Sequence, residues 1–182
     1  WGGFMEYAIK HHNVKVTGLT ISKAQHDFTK KRLFEAGLSE RAKVLLTDYR
    51  NQKGQFDGIA SIEMFEAVGE KYWPVYFNSL KNLMKNGAKS TLQIITIADE
   101  IFPEYRKRVD FIQKYIFPGG MLPSKKALEK QFLQVGLKSI NLKSFGSSYS
   151  KTLRLWHSSF NSVWDDIASV KFDDRFKRMW NF

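Results

Sequence analysis

The sequence predicts an α/β fold in which a mostly parallel sheet is covered by helices on both faces, and three observations carry that expectation. Short β-branched, apolar runs alternate with segments whose apolar residues recur every three to four positions, the pattern of strands followed by covering helices. Helix start and stop residues punctuate the alternation, with Ser before helical segments and Gly after them. The chain has 182 residues, 43% hydrophobic and 15% aromatic, enough to bury one substantial core, so residues 1–182 are expected to form a single domain.

The elements follow in order. Trp1-Gly2-Gly3-Phe4 reads as the end of a glycine-rich loop running into a helix over 4–10. Residues 14–19 form a strand that runs into Ser22, whose spacing to Gln25 is that of a capping box, and the helix it opens should stop near Gly37. A second strand over 43–46 ends at Asp48-Tyr49-Arg50, and a third over 56–62 follows Lys53-Gly54-Gln55. Trp73, Tyr76, Phe77, Leu80, Leu83 and Met84 recur at helical spacing, predicting an amphipathic helix that stops near Asn86-Gly87, with the next strand over 90–97.

Residues 98–123 break the rhythm with aromatics, mixed charge and the turn Phe117-Pro118-Gly119-Gly120, and are expected to be a substrate-side insertion. Ser124 then opens a helix through Leu128, Phe132 and Val135 to Gly136, and 137–145 reads as a strand. Leu153, Trp156, Phe160, Val163, Trp164 and Ile167 share one face of a long helix. In a doubly wound sheet the strand before the glycine-rich loop is the central one, and no strand precedes Trp1. The chain is therefore expected to lack the first strand of its fold, and its end as well, since Phe182 falls inside an apparent helix.

Composition narrows the function. The longest apolar runs fall far short of the ~18 to 20 residues that cross a bilayer, and no signal sequence opens the chain. With no cysteine there are no disulfides and no thiolate metal sites, which is compatible with a reducing cytosol. The 29 basic and 18 acidic residues give a formal charge of +11, which suits nucleic acid, an anionic lipid surface or simply a solvated basic face. His11, His12, His26 and His157 form no catalytic constellation, and metal-ligand spacing is missing, so no metal is expected.

The stretch SIEMFEAVG over 61–69 sets Glu63 and Glu66 immediately beyond the third strand, with Glu70 just after it. The crevice at the carboxyl ends of strands is the usual ligand site of such sheets. Glu70, next to Lys71, reads as a solvated partner at a helix start.

Eight strings in order, WGGFMEYA, VTGLTISKAQ, DYR, SIEMFEAVGEKYW, QIITI, DFIQKYIFPGGMLPS, SYSKTLRLW and DDRFKRMW, span 1–180. Together they resemble the cyclopropane-fatty-acyl-phospholipid synthase family, to which mycolic acid cyclopropane synthases also belong. The resemblance implies a class I, Rossmann-like methyltransferase fold that uses S-adenosylmethionine and acts on the cis double bond of a phospholipid acyl chain. Its cofactor contacts would fall on Trp1, Gly2 and Gly3 of the loop, on Thr20, Ile21, Ser22 and Gln25 after the first strand, and on Asp48, Tyr49 and Arg50 after the second. Glu63 is placed with the cofactor contacts. Ser22 would cap its helix in any case, and Asp48 would also suit an ordinary Asx turn.

The chemistry requires two things. Attack of an alkene on a sulfonium methyl builds a carbocation, and a base must remove a proton for the ring to close. Aromatic faces can stabilise a desolvated cation by about 2 kcal/mol each, with Tyr49, Tyr72, Phe111, Tyr115 and Phe117 as candidates. In the resembled family the base is a bound bicarbonate, and the residues implied to hold it are Glu66, Tyr149, the backbone of Ile95 and a His. The position of that His is Gln93 here. A Gln amide can donate to an anion but cannot carry positive charge, so bicarbonate is expected to bind more weakly or the proton to leave by another route.

The resemblance further implies a cytoplasmic protein, peripheral at the inner membrane surface, whose partners are phospholipid acyl chains rather than nucleic acid. Residues 106–117 and 172–180 are candidate contacts to anionic headgroups, worth ~1 kcal/mol per Lys or Arg, though both would also suit core helices or a homodimer interface. Three alternatives stay open: a lipid C-methyltransferase giving a methyl or methylene branch, a small-molecule or RNA methyltransferase, and an inactive lipid-binding relative.

Overall fold

A computed structural model of the chain describes residues 1–168 and 172–182, which form two compact units, Trp1–Ser139 and Ile140–Phe182. In the first unit the strands are β1 (Val16–Thr20), β2 (Ala42–Leu46), β3 (Phe56–Ile62) and β4 (Met84–Gln93). They pair as β1 with β2 and β3 with β4, both parallel, so the expected parallel arrangement holds as two strand pairs rather than one continuous sheet among the described residues.

The helices of this unit are α1 (Gly3–His12), α2 (Lys23–Glu35), α3 (Trp73–Leu83), α4 (Phe102–Tyr105), α5 (Phe111–Tyr115) and α6 (Lys125–Gln134). Both α1 and α2 pack against β1. Their contact is close at Gly18, where a Cβ would stand 2.3 Å from the Met5 sulfur, so β1 admits α1 only because that residue has no side chain. Met5, Ala8, Ile9 and Leu33 are buried on these two helices. The main core lies on α3: Trp73, Tyr76, Phe77 and Leu80, at the predicted spacing, close on Phe65 and on Leu128 of α6.

Helix α2 has Ser22 as its N-cap, with the Gln25 N–H donating to Ser22 Oγ at 3.3 Å. The reciprocal half of the expected capping box is replaced. The Thr20 hydroxyl donates to Gln25 Oε1 at 2.7 Å and accepts from the Ser22 N–H at 3.1 Å, so the end of β1 takes the side chain that would have reached the cap.

Two strand expectations are corrected. The fourth strand runs over Met84–Gln93 rather than 90–97. Met84 continues the helical spacing of α3, yet its backbone is already extended and it pairs with Phe56, since a ladder partner outweighs local periodicity. At the other end, Ile95 leaves the ladder because its N–H goes to a side chain, Glu66. Residues 137–145 form no strand: Ile140, Leu142 and Phe145 are exposed and no strand in the described residues pairs with them. Apolar alternation becomes a strand only where a sheet edge supplies its hydrogen bonds.

The insertion over 98–123 carries α4 and α5, and its Phe117-Pro118-Gly119-Gly120 turn closes with the Gly120 N–H donating to the Phe117 carbonyl at 2.9 Å. The second unit holds α7 (Gly146–Ser162), α8 (Trp164–Ala168) and α9 (Asp174–Asn181). The expected single long helix is thus broken at Val163, and only Trp164 of its apolar face is fully buried in that unit, while Leu153 and Trp156 are exposed. Phe172, Phe176 and Trp180 stack in series, with centroids 4.4 and 5.3 Å apart. No helix in the described residues is long and apolar enough to cross a membrane.

Candidate active site

The expected residues of the first unit gather in three groups, two of them at the carboxyl ends of the strand pairs. The first group is the opening loop. Gly2 is the N-cap of α1 with φ +84°, a left-handed conformation that suits glycine, and a Cβ there would meet Thr29 Cγ2 at 2.8 Å. Trp1 packs edge-on against Phe28 of α2 at 5.4 Å. The loop is thereby fixed to the helix that follows β1.

The second group joins the ends of β1 and β2, where the Thr47 N–H donates to the Thr20 carbonyl at 2.9 Å. Thr20, Ser22 and Gln25 are tied together as described above, and Ile21 between them is almost fully exposed. After β2, Asp48 closes the Asx turn: its Oδ1 accepts from the Arg50 N–H at 2.9 Å. The Arg50 guanidinium also donates to both carboxylate oxygens, Nε to Oδ1 at 2.9 Å and Nη2 to Oδ2 at 2.6 Å. This fork-on-fork pair and the backbone N–H hold the Asp48 carboxyl down to about 2.

The third group lies at the ends of β3 and β4. The Glu63 N–H donates to the Gln93 carbonyl at 2.9 Å, and the Gln93 side-chain amide donates back to Glu63 Oε1, also at 2.9 Å. Glu63 has φ +50°, unusual for a residue with a Cβ. Glu66 sits one turn on, in a single 3₁₀ turn over Phe65–Ala67, and its Oε1 accepts the Ile95 N–H at 2.6 Å. Its other oxygen, Oε2, is buried with no hydrogen-bond partner among the described residues.

A chain of rings connects the second and third groups. Tyr49 meets Tyr76 at 5.6 Å and Tyr76 meets Phe65 at 5.0 Å, which carries the contact from the residue beside Asp48 to the residue beside Glu66. Burial pushes the Tyr76 hydroxyl up to about 12 and raises the Tyr49 hydroxyl as well. Both phenols stay neutral at physiological pH.

The insertion closes on this site. The Met121 N–H donates to the Glu66 carbonyl at 2.9 Å, and a Cβ on Gly120 would stand 3.4 Å from that same oxygen. Gln113, which the sequence reading passed over, fixes the turn. It forms a full capping box with Asp110 and donates through its side chain to the Gly120 carbonyl at 2.9 Å. The signal was present as Asp followed three residues later by Gln. Glu70, read as a solvated partner at a helix start, instead accepts from two guanidinium nitrogens of Arg106, Nε and Nη2, and so ties the site loop to the insertion.

Of the aromatic candidates, Tyr72, Tyr115 and Phe117 are exposed, and Phe111 packs on Tyr115 at 5.2 Å. Tyr149 belongs to the second unit, on α7, where its ring meets Trp156 edge-on at 6.3 Å.

Comparison with known proteins places the chain in a described family. The sequence profile of the mycolic acid cyclopropane synthetase family matches residues 1–182. The tuberculostearic acid methyltransferase of Mycobacterium tuberculosis is 38% identical over 166 residues, which are 91% of this chain and 39% of that protein. The cyclopropane-fatty-acyl-phospholipid synthase of Escherichia coli K12 is 35% identical over 184 residues, 100% of this chain and 45% of that one. The chain thus spans about two fifths of the length of these curated relatives.

Among solved structures, a mycolic acid cyclopropane synthase complexed with SAH and CTAB superposes with TM-score 0.87 at 25% identity, over 100% of this chain and 68% of that one. A cyclopropane synthase from Mycobacterium tuberculosis gives TM-score 0.88 at 24% identity, over 99% and 66%. The fold is that of the class I methyltransferases, as the sequence predicts.

Proposed function

Because the chain belongs to the mycolic acid cyclopropane synthetase family, we propose that it transfers a one-carbon group from S-adenosylmethionine to the cis double bond of a phospholipid acyl chain, forming a cyclopropane. The observation that carries this reading is Glu66, whose carboxylate is anchored by the Ile95 N–H at the joined ends of β3 and β4 and covered by the insertion turn. A carboxylate in that sheltered place stabilises positive charge on a nearby substrate carbon, as alkene methylation requires.

The cofactor supplies a methyl group on a positively charged sulfur. Its proposed contacts are Trp1, Gly2 and Gly3 at the opening loop, Thr20, Ile21, Ser22 and Gln25 after β1, and Asp48, Tyr49 and Arg50 after β2. The fit rests on chemistry seen in the structure. The Gly2 backbone leaves no room for a side chain on its Thr29 side, and Asp48 is held ionised, with acceptor capacity for a sugar hydroxyl.

A lipid substrate fits the outer face of the insertion, where Val109, Ile112, Tyr115 and Phe117 are exposed beside Lys107, Arg108 and Lys114. Apolar side chains among cations suit the boundary of an anionic membrane. The second helical unit offers a similar surface at Phe172 and Trp180 on a basic segment. A peripheral, interfacial protein is the reading these surfaces support.

Bound bicarbonate, which the resemblance implies as the base, fits the donors present poorly. One N–H of the Gln93 amide and the Ile95 N–H are already taken by Glu63 and Glu66, which leaves the second Gln93 N–H for a further anion. A further anion would also meet two carboxylates and no imidazolium, and like charges at close range disfavour one another.

A second reading is favoured by Gln93 itself. If the proton leaves by a route other than ring closure, the product is a methylene branch, and a saturated methyl branch would further require a hydride from a separate reductant. Mass spectrometry of phospholipid fatty acids from cells with and without the protein separates the cases. A gain of one CH2 unit that survives hydrogenation is a ring, a gain of CH4 is a saturated methyl branch, and a gain of one CH2 unit that takes up hydrogen is a methylene branch. No gain overturns the lipid reading. Glu66→Gln is expected to abolish transfer while cofactor binding, measured by calorimetry, is kept; unchanged turnover would remove Glu66 from the chemistry.

A further inference from the structure

We propose that the Glu63 carboxylate, held by Gln93, is the base that removes the proton for ring closure, so that the chain supplies from its own sequence what a bound anion would otherwise provide. The inference rests on the methylene-transfer reading above. Three features of Glu63 support it.

The first is placement. Glu63 directly follows the carboxyl end of β3, three residues before Glu66, on the edge where the site groups meet. Its side chain is exposed, whereas Glu66 is partly buried, with one oxygen engaged by Ile95 and its carbonyl covered by Met121. Of the two carboxylates, Glu63 is therefore the more accessible, while Glu66 stays in place as a fixed negative charge.

The second is backbone conformation. Glu63 stands in the left-handed region at φ +50°, a strained conformation for a residue with a Cβ that persists only where surrounding contacts hold it. The Gln93 carbonyl and amide hold it from both sides, and the turn takes Glu63 out of the register of β3.

The third is the charge of the partner. An imidazolium at position 93 would neutralise Glu63 as an ion pair, while the neutral Gln93 amide orients the carboxylate through Oε1 and keeps Oε2 for a proton. Loss of an anion-binding His and presence of a carboxylate beside its replacement are thus one arrangement.

The step balances without another reagent. The transferred methyl carbon bonds to one alkene carbon as its bond to sulfur breaks, leaving a cation on the other alkene carbon. Glu63 takes one proton from the new methyl group, and the freed C–H electron pair forms the second ring bond. The neutral acid then returns its proton to solvent.

The test uses vesicles of an unsaturated phosphatidylglycerol, S-adenosylmethionine and CO2-free buffer, with and without added bicarbonate. The parent is expected to turn over equally in both, and Glu63→Gln to lose at least ~100-fold in ring formation, the lower end of a general base's contribution. Glu63→Gly keeps the left-handed backbone and frees the Gln93 amide, so bicarbonate should restore its turnover saturably, which a merely structural role would not allow. A parent rate that falls on bicarbonate removal, or an unimpaired Glu63→Gln, overturns the proposal. Carbon-13 NMR of labelled bicarbonate reads binding independently of the lipid: saturable binding is expected for Glu63→Gly and none for the parent. Saturable binding to the parent overturns the inference, while absence of any lipid product in every variant counts against the reading beneath it.

Discussion

Replacing Gly2 by Ala tests whether the opening loop is as constrained as its geometry states. Two costs add. A residue with a Cβ at φ +84° loses about 1–2 kcal/mol relative to glycine. The Cβ would also stand 2.8 Å from Cγ2 of the buried Thr29, an overpacking of about 1–3 kcal/mol. The sum is about 2–5 kcal/mol, measured as the change in urea unfolding free energy. Thr29→Ser deletes the clashing methyl and leaves the hydroxyl, so in the double variant only the backbone share of about 1–2 kcal/mol should remain. A double-mutant cycle isolates the clash as a coupling term. Calorimetry with S-adenosylhomocysteine should show weaker binding in Gly2→Ala and near-parental binding in Thr29→Ser. A Gly2→Ala variant within ~0.5 kcal/mol of the parent, or a cycle with no coupling, would refute the steric account.

Two further outcomes are expected. Phe77→Ala removes a fully buried ring that meets Phe65, Tyr76 and Phe132 at 5.2, 5.0 and 5.1 Å, and should cost about 3–5 kcal/mol in urea unfolding. Arg50→Ala should raise the Asp48 carboxyl from about 2 toward its ordinary value of about 3.9, followed by NMR titration. Because the folded state holds Asp48 below its unfolded value, the pair stabilises above ~pH 4 and that contribution fades as pH falls toward ~2, so the variant's deficit should be present at neutral pH and gone in strong acid.

The parts of the fold that were legible in the sequence are those set by local chemistry. Ser22 and Ser124 cap the helices they were expected to open, the β3 span of Phe56–Ile62 matches residue for residue, and α3 buries the predicted face. The errors fall where a distant group decides. Met84 joins β4 because Phe56 offers a ladder, and 137–145 stays irregular because no strand does. Neither partner is visible in the local pattern.

The site shows the same division more sharply. Position after a strand marked Asp48, Glu63 and Glu66; Asp48 finds Arg50 two residues on, but the partners of Glu63, Glu66 and Glu70 lie 29 to 36 positions away, at Gln93, Ile95 and Arg106. Read alone, Gln93 is a deficit, an imidazole lost from an anion site. Beside Glu63 it is a hydrogen-bond donor to a carboxylate in an unfavourable backbone conformation. A neutral amide would be a poor ligand for a free anion, yet it can orient a tethered one, because the carboxylate arrives with no binding entropy to lose. In the proposed reaction ring closure needs a base, and a carboxylate linked through the β3 backbone would be present there at a local concentration independent of the solution.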